Sequence, residues 1–73
     1  MIDKILAIVA EEMGVPLEKV SADLKFTESG LESLEFLELM QRVESDFWRI
    51  PEARWVAINS PLDIMRELQS CKA

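Results

Sequence analysis

The sequence has no histidine and only one cysteine, Cys71. Without histidine it lacks the usual general base of enzymes and the commonest metal ligand of proteins. One cysteine cannot close an internal disulfide or build a metal site with neighbouring cysteines, and this usage is typical of a reducing compartment. We therefore expect a cytoplasmic protein with no metal site and no catalytic activity of its own.

Long apolar runs are also missing. No stretch reaches the ~18 apolar residues of a transmembrane helix, and residues 1–4 begin an amphipathic segment instead of a signal peptide. Basic residues are few, 8 against 14 acidic ones, for a net charge of -6. Such a charge repels nucleic acids and anionic lipids and attracts basic patches on other proteins. The expected partners are proteins, with neither nucleic acid nor membrane.

The chain is short, at 73 residues, and 49% of them are hydrophobic. That composition is typical of a globular protein, and the length allows one domain, 1–73, around one core. A core of this size contributes a net stability of roughly 3–5 kcal/mol. It leaves little room for an enclosed substrate pocket with catalytic groups. We therefore expect a monomeric binding or carrier module, not an enzyme.

Helical periodicity begins at the N-terminus. Apolar residues recur at helical spacing at Ile2, Ile5, Leu6, Val9 and Met13. Gly14 and Pro16 then end the pattern, which predicts a first helix over 2–13. Residues 15–32 show no sustained period and predict a long loop with a short turn at 16–20. Three apolar residues would anchor this loop to the core: Val20, Leu24 and Phe26.

A second helix is predicted over 33–48. On a helical wheel, one arc holds Phe36, Leu39, Met40, Val43 and Phe47, which predicts the stripe that faces the core. Leu34, Leu37 and Trp48 fall outside this arc, beside Glu35 and Glu38. An apolar flank bordered by carboxylates suggests a docking surface. The alternative is that Leu37 and Trp48 pack under the loops.

Two signals organise the last part of the chain. Residues 51–56 suit a short helix with Pro51 as its first residue. Ser60–Asp63 predicts a capping box, with Ser at the N-cap, Pro first and Asp third, followed by a helix that ends near residue 70. Residues 70–73 are expected to fray. With no strand pattern, the prediction is an all-α protein, a small four-helix bundle of three longer helices and one short one.

The segment 29–39 carries the motif that bears chemistry, Ser-Gly-Leu-Glu-Ser-Leu-Glu-Phe-Leu-Glu-Leu. It resembles the acyl carrier proteins and the related peptidyl carrier domains, whose pattern is Gly, a small or apolar residue and Asp-Ser-Leu before an acidic helix. The short motif alone is weak, because Gly-x-x-Ser-Leu occurs by chance in many proteins. Together with the length, the acidity and the order of helices, the resemblance is specific and covers nearly the whole chain.

This resemblance implies a covalent cofactor on Ser33. A phosphopantetheinyl transferase would attach 4′-phosphopantetheine from coenzyme A to the Ser33 hydroxyl, and the arm would hold acyl groups as thioesters. The other implied partners are acyl-transferring or condensing enzymes with basic docking patches, in a fatty-acid, lipid or polyketide-type pathway. The positions that match the family's partner contacts are Glu32, Leu34, Glu35, Leu37 and Glu38. A phosphodiester at Ser33 also suits a helix N-terminus, where backbone N–H groups favour negative charge.

Several features depart from the family pattern. Glu32 replaces the usual Asp, and its longer side chain fits an N-cap less well. Ser29 replaces an apolar loop anchor and can form a capping box with Glu32, which would place Ser33 inside the helix. Arg42 interrupts the acidic face, and the basic, aromatic segment 51–55 indicates a dedicated partner unless Trp55 fills the core. These departures favour a specialised stand-alone member of the family.

Two alternatives remain open from the residues alone. Ser33 is also a suitable N-cap, which is the commonest reason for a serine at a helix start. In that case the chain would be an unmodified helical module that binds a partner through the Leu34, Leu37 and Trp48 flank. A peptidyl carrier is the other alternative, although such domains are typically less acidic than this chain.

Overall fold

The computed structural model describes residues 1–71, which form helices and connecting segments with no strand among them. The α-helices are α1 (Ile2–Met13), α2 (Phe26–Ser29), α3 (Ser33–Asp46) and α4 (Pro61–Ser70). Two 3₁₀-helices, Leu17–Lys19 and Glu52–Ala57, lie in the connections. The predicted all-α bundle with three longer helices is confirmed. Within the described part of the chain, no helix has the length and apolar character needed to span a bilayer.

Helix α1 has the bounds predicted from its periodicity. Gly14 follows it with a φ of 69°, a left-handed conformation that side chains disfavour. The Gly14 N–H donates to the Glu11 carbonyl at 3.2 Å, and the Val15 N–H donates to the Ala10 carbonyl at 3.1 Å. These two bonds satisfy carbonyl groups that the end of a helix leaves without partners.

The core forms around α1, which packs against both α3 and α4. Its fully buried side chains include Ile5, Val9, Leu39, Met40, Val43, Ile50, Ile64 and Leu68. Each large apolar side chain contributes about 1.5–3 kcal/mol when it is removed from water. Of the predicted stripe on the second helix, Phe36 and Phe47 are only partly buried, at the edge of this core.

The segment 15–32 contains an element that the sequence did not predict. The short turn expected at 16–20 is present as the 3₁₀-helix Leu17–Lys19, but Phe26–Ser29 is a further helix, α2. Val20 and Phe26 are buried, as expected of loop anchors. The Phe26 N–H donates to the Asn59 carbonyl at 2.8 Å, so α2 is held by a residue far along the chain.

Helix α3 ends at Asp46, two residues before the predicted end, because Phe47 leaves helical geometry at φ -121° and ψ -98°. Trp48 is therefore not on the exposed flank of a helix. Its indole N–H donates to the Leu68 carbonyl of α4 at 2.8 Å, and its ring meets the Phe47 ring edge to face. The inclusion of Trp48 in a docking surface is wrong, and its packing against the bundle is the correct alternative.

The segment after α3 forms a 3₁₀-helix over Glu52–Ala57. Pro51 precedes it at the N-cap, with ψ 139°, so its predicted place as the first helical residue is wrong by one position. Arg54 donates two hydrogen bonds to the Glu67 carboxylate, at 2.8 and 3.4 Å. This pair holds the 3₁₀-helix on α4.

The predicted start of the last helix is confirmed at Ser60 and Pro61. The Ser60 hydroxyl oxygen accepts the Asp63 N–H at 3.1 Å, and Pro61 is the first helical residue. The Asp63 carboxylate accepts the N–H of Asn59 at 2.9 Å, one residue before the N-cap. The capping hydrogen bonds therefore include Asn59, the residue before the N-cap, and fix the direction in which the chain enters α4.

Residues 70 and 71, the first two of the predicted tail, are part of the described structure. Ser70 is the last residue of α4, and the Cys71 N–H donates to the Glu67 carbonyl at 2.9 Å. The half-buried Cys71 side chain packs against the core. Ser70 and Cys71 thus continue α4 and its contacts with the core, fraying stays a prediction, and residues 72–73 of the predicted tail lie outside the described residues.

Candidate functional site

Ser33 is the first residue of α3 and is exposed to solvent. Glu32 occupies the N-cap, so the interpretation of Ser33 as the capping residue is wrong. The Ser33 hydroxyl makes no hydrogen bond to any group in residues 1–71. The first turn of a helix presents backbone N–H groups and a partial positive charge, which favour an anionic group. Ser33 therefore fits the attachment of a phosphodiester without loss of a structural contact.

The residues on either side of Ser33 fix the helix start. The Glu35 carboxylate accepts the backbone N–H of Glu32 at 3.0 Å. The Glu32 side chain faces the Glu35 N–H in return and completes a capping box, although its carboxylate does not reach full hydrogen-bond geometry. The replacement of aspartate by glutamate thus preserves the position of the helix start.

Ser29 and Gly30 end α2 and do not begin α3. The Ser29 hydroxyl donates to the Phe26 carbonyl at 2.9 Å, within its own helix. Gly30 then takes a φ of 82°, which turns the chain toward α3. The proposed capping box between Ser29 and Glu32 is therefore wrong, and Ser33 does not lie inside an extended helix.

The positions matched to partner contacts divide into two groups. Leu34 is 65% exposed and Leu37 is 39% exposed, and Glu38 is exposed beside them. Their spacing places these three on one side of α3, which we call the docking face. Glu32 is also exposed, at the helix start, whereas Glu35 is half-buried and its carboxylate is engaged in the cap.

A cleft of about 350 Å³ opens beside Ser33, which lies on its rim with Glu32. Its walls include Phe26, Thr27, Phe36, Trp55, Val56 and Asn59. Val56 is 93% exposed, the most exposed large apolar side chain of the described residues. No local pattern predicts this cleft, because its walls come from two parts of the chain, 26–36 and 55–59, that are distant in sequence.

Three aromatic rings form a row along the cleft. The Phe26 and Phe36 ring centroids lie 6.1 Å apart, and those of Phe36 and Trp55 lie 6.0 Å apart with an interplanar angle of 83°. Such edge-to-face contacts are favourable beyond the area that they bury. The Trp55 indole N–H donates to the Ile50 carbonyl at 2.9 Å. Trp55 is thus fixed as part of the cleft wall and packs partly against the core.

Asn59 lines the cleft and joins two of its walls through hydrogen bonds to α2. Its backbone carbonyl accepts the Phe26 N–H at 2.8 Å, and its side-chain oxygen accepts the Thr27 N–H at 3.1 Å. Its side-chain amide also donates to the Thr27 hydroxyl at 3.4 Å. These contacts join α2, which precedes the loop that leads to Ser33, to the segment before α4.

Arg42 has a partner within the chain. Its guanidinium lies 2.7 Å from the Glu11 carboxylate and 3.3 Å from that of Glu12, and it links α3 to α1. The hydrogen bond to Glu11 is the largest cause of the raised pKa of Arg42, so this group stays protonated. Arg42 therefore interrupts the acidic surface of α3 for a structural reason.

Comparisons with known proteins agree with this geometry. A family model described as the phosphopantetheine attachment site matches residues 3–68. An acyl carrier protein of Rickettsia bellii is 29% identical over 72 residues, which cover 96% of this chain and 89% of the relative. An acyl carrier protein of Akkermansia muciniphila is 30% identical over 69 residues, 92% of this chain and 86% of the relative. The chain therefore belongs to the acyl carrier protein family, whose cofactor is phosphopantetheine.

Proposed function

We propose that this protein carries acyl groups as thioesters on a phosphopantetheine arm attached to Ser33. The observation that carries the proposal is the uncommitted, exposed hydroxyl of Ser33 at the N-terminus of α3, on the rim of a cleft. The arm supplies a terminal thiol on which acyl groups are held. The chain itself supplies the attachment oxygen and the surfaces that partner enzymes recognise.

The other serines suit attachment less well. The hydroxyls of Ser21, Ser29 and Ser60 are engaged in hydrogen bonds within the chain. Ser45 and Ser70 are exposed, but they lie in the last turns of α3 and α4. The partial negative charge at a helix C-terminus disfavours a phosphodiester there. Ser33 alone combines exposure, an unused hydroxyl and a helix N-terminus.

Attachment requires a transferase. The Ser33 hydroxyl oxygen forms a bond to the pantetheine-bearing phosphorus of coenzyme A, the diphosphate linkage breaks, and adenosine bisphosphate leaves. The hydroxyl proton must pass to a base, and this chain has no histidine to accept it. We therefore assign the base to the transferase. The N–H groups of the first turn of α3 favour the charge of the new phosphodiester.

The docking face would meet both the transferase and the acyl-handling enzymes. On this face Leu34 and Leu37 offer apolar contacts and Glu38 faces basic patches on the partner, as does Glu32 at the start of the helix. Exposed ion pairs contribute about 0–1 kcal/mol each, so these acids mainly govern association rate and specificity. We place these partners among the acyl-transferring and condensing enzymes of a cytoplasmic fatty-acid, lipid or polyketide-type pathway.

Intact-mass spectrometry tests the proposal. After incubation with coenzyme A and a broad-specificity transferase, the wild type should gain the mass of one phosphopantetheinyl group, and Ser33→Ala should gain none. Ser45→Ala is the matched control, because it removes another exposed serine hydroxyl from α3, and it should be modified like the wild type. A wild type that gains no mass would contradict the proposal and favour an unmodified interaction module.

A further inference from the structure

The acidic side chains of α3 are not equally available to a partner. The helix holds four of them: Glu35, Glu38, Glu44 and Asp46. Glu35 and Glu44 are half-buried and accept backbone N–H groups of this chain, at 3.0 and 3.3 Å. A cation on a partner would have to compete with these hydrogen bonds. Among residues 1–71, Glu38 takes part in no hydrogen bond or ion pair, so its carboxylate is available to a partner.

One side of α3 is exposed along the helix. Helical spacing places five exposed residues on it: Leu34, Leu37, Glu38, Gln41 and Ser45. The first three are the docking face, and Gln41 and Ser45 continue it toward the end of the helix. Asp46 lies on another side, because successive residues are rotated by about 100°. Glu38 is therefore the one charged residue on the exposed side.

Arg42 brings a positive charge to the edge of this side, one turn after Glu38. Its guanidinium lies 2.7 Å from the Glu11 carboxylate and 3.3 Å from that of Glu12, and the side chain is still 38% exposed. A partner with a row of basic groups along α3 would bring like charges together here, and such contacts discriminate against a partner. The exposed side of α3 therefore suits one basic group, opposite Glu38.

We propose that the partner surface over the docking face is an apolar groove with a single basic group opposite Glu38, and that apolar contact decides which enzymes use this carrier. The inference rests on the proposed function, because it names the chemistry of the partners that act at Ser33. The family resemblance implies basic docking patches, whereas this side of α3 offers such a patch one carboxylate. Gln41 would lie in the same groove, one turn after Leu37.

The sizes of the two kinds of contact favour this assignment. An exposed ion pair changes an affinity by at most about fivefold, and salt weakens it further. A leucine side chain that is removed from water contributes about tenfold or more. Leu34 is 65% exposed in the free protein, so most of its side chain can gain from burial in a complex. Apolar contact therefore outweighs charge on this side of α3.

Two substitutions at Gln41 test the chemistry of the partner at one position. The probe is a broad-specificity transferase with coenzyme A, and kcat/KM is measured for each carrier. Leucine and glutamate are both good helix formers and Gln41 is exposed, so both variants should fold like the wild type. Gln41→Leu should raise kcat/KM about threefold through added apolar contact, and Gln41→Glu should not raise it. A rise for Gln41→Glu, or equal values for the two variants, would overturn the inference.

Glu38→Gln measures the contribution of the single charge. The assay is run at about 50 mM NaCl, where the effects of exposed charges are large. Glu18→Gln is the matched control, because it removes one exposed carboxylate from the 3₁₀-helix Leu17–Lys19, away from α3, and reports the effect of net charge alone. Glu38→Gln should lower kcat/KM by less than about fivefold relative to this control. A greater loss would show that charge decides recognition.

The outcomes separate this inference from the proposed function. A wild type that takes up no arm, shown by intact mass, refutes attachment at Ser33, and the inference falls with it. A wild type that is fully modified, with Gln41→Glu modified faster than Gln41→Leu, refutes only the apolar groove. The proposed function would then stand, with a partner that carries a basic patch.

Discussion

The Glu35 carboxylate accepts the backbone N–H of Glu32 at 3.0 Å, and Ser33 lies between these two residues. The start of α3 is therefore fixed by its neighbours, and the Ser33 hydroxyl takes no part in it. A group attached to the Ser33 oxygen would therefore break no hydrogen bond of this helix start. It also gives Glu35, one of the positions matched to partner contacts, a role within its own chain.

The cap makes a first prediction about stability. Glu35→Ala should lower the free energy of unfolding by about 0.5–1 kcal/mol, because the Glu32 N–H loses its acceptor at the helix start. Urea unfolding monitored by circular dichroism measures the change. Glu38→Ala is the control, since Glu38 is exposed on the same helix and should change stability by less than about 0.5 kcal/mol. Equal losses in the two variants would contradict the assigned role of Glu35.

The docking face makes a second prediction, about recognition. Leu34→Ala should lower kcat/KM of the transferase for this carrier about tenfold, a loss of roughly 1.4 kcal/mol of apolar contact in the complex. Its folding stability should stay close to that of the wild type, because Leu34 is 65% exposed.

Leu17→Ala is the matched control for the docking face. Leu17 is 54% exposed but lies on the 3₁₀-helix Leu17–Lys19, outside the residues assigned to the docking face. Steady-state assays of both variants should show a loss for Leu34→Ala alone. The docking face would be wrongly placed if Leu17→Ala slowed modification as much as Leu34→Ala.

The contacts of Asn59 make a third prediction. Asn59→Ala should cost about 0.5–1.5 kcal/mol of unfolding free energy, because the exposed Thr27 N–H exchanges its protein acceptor for water. Amide hydrogen exchange should become faster at Thr27 than at Val43 in the core. Thr27→Val removes only the longer contact, at 3.4 Å, and should cost less than about 0.5 kcal/mol. Unchanged exchange at Thr27 in Asn59→Ala would show that the contact does not anchor α2.

The long helices could be predicted because their signals are local. The periodicity of α1 and the conformation required at Gly14 lie within a few residues of each other, and so do the Ser60 cap and Pro61. Helix α2 could not be predicted in this way. Four residues carry no measurable period, and their anchor, Asn59, lies more than thirty positions away.

Those parts of the site that depend on local sequence alone could also be predicted. The exposure of Leu34 and Leu37 follows from the helical wheel of α3 alone. Trp48 was misplaced because the helix ends at Asp46, and its position depends on the Leu68 carbonyl twenty residues further on. The cleft depends on tertiary contacts between rings and loops, which no local pattern specifies.

The most direct test of the central claim is to locate the modification by fragmentation mass spectrometry. Wild-type protein treated with coenzyme A and transferase is digested with trypsin, and fragment ions are assigned for peptide 26–42, which contains Ser29 and Ser33, and for peptide 43–49, which contains Ser45. We expect a single phosphopantetheinyl group in fragments that include Ser33 and none in fragments that lack it. A group on Ser29, on Ser45 or on no residue would contradict it.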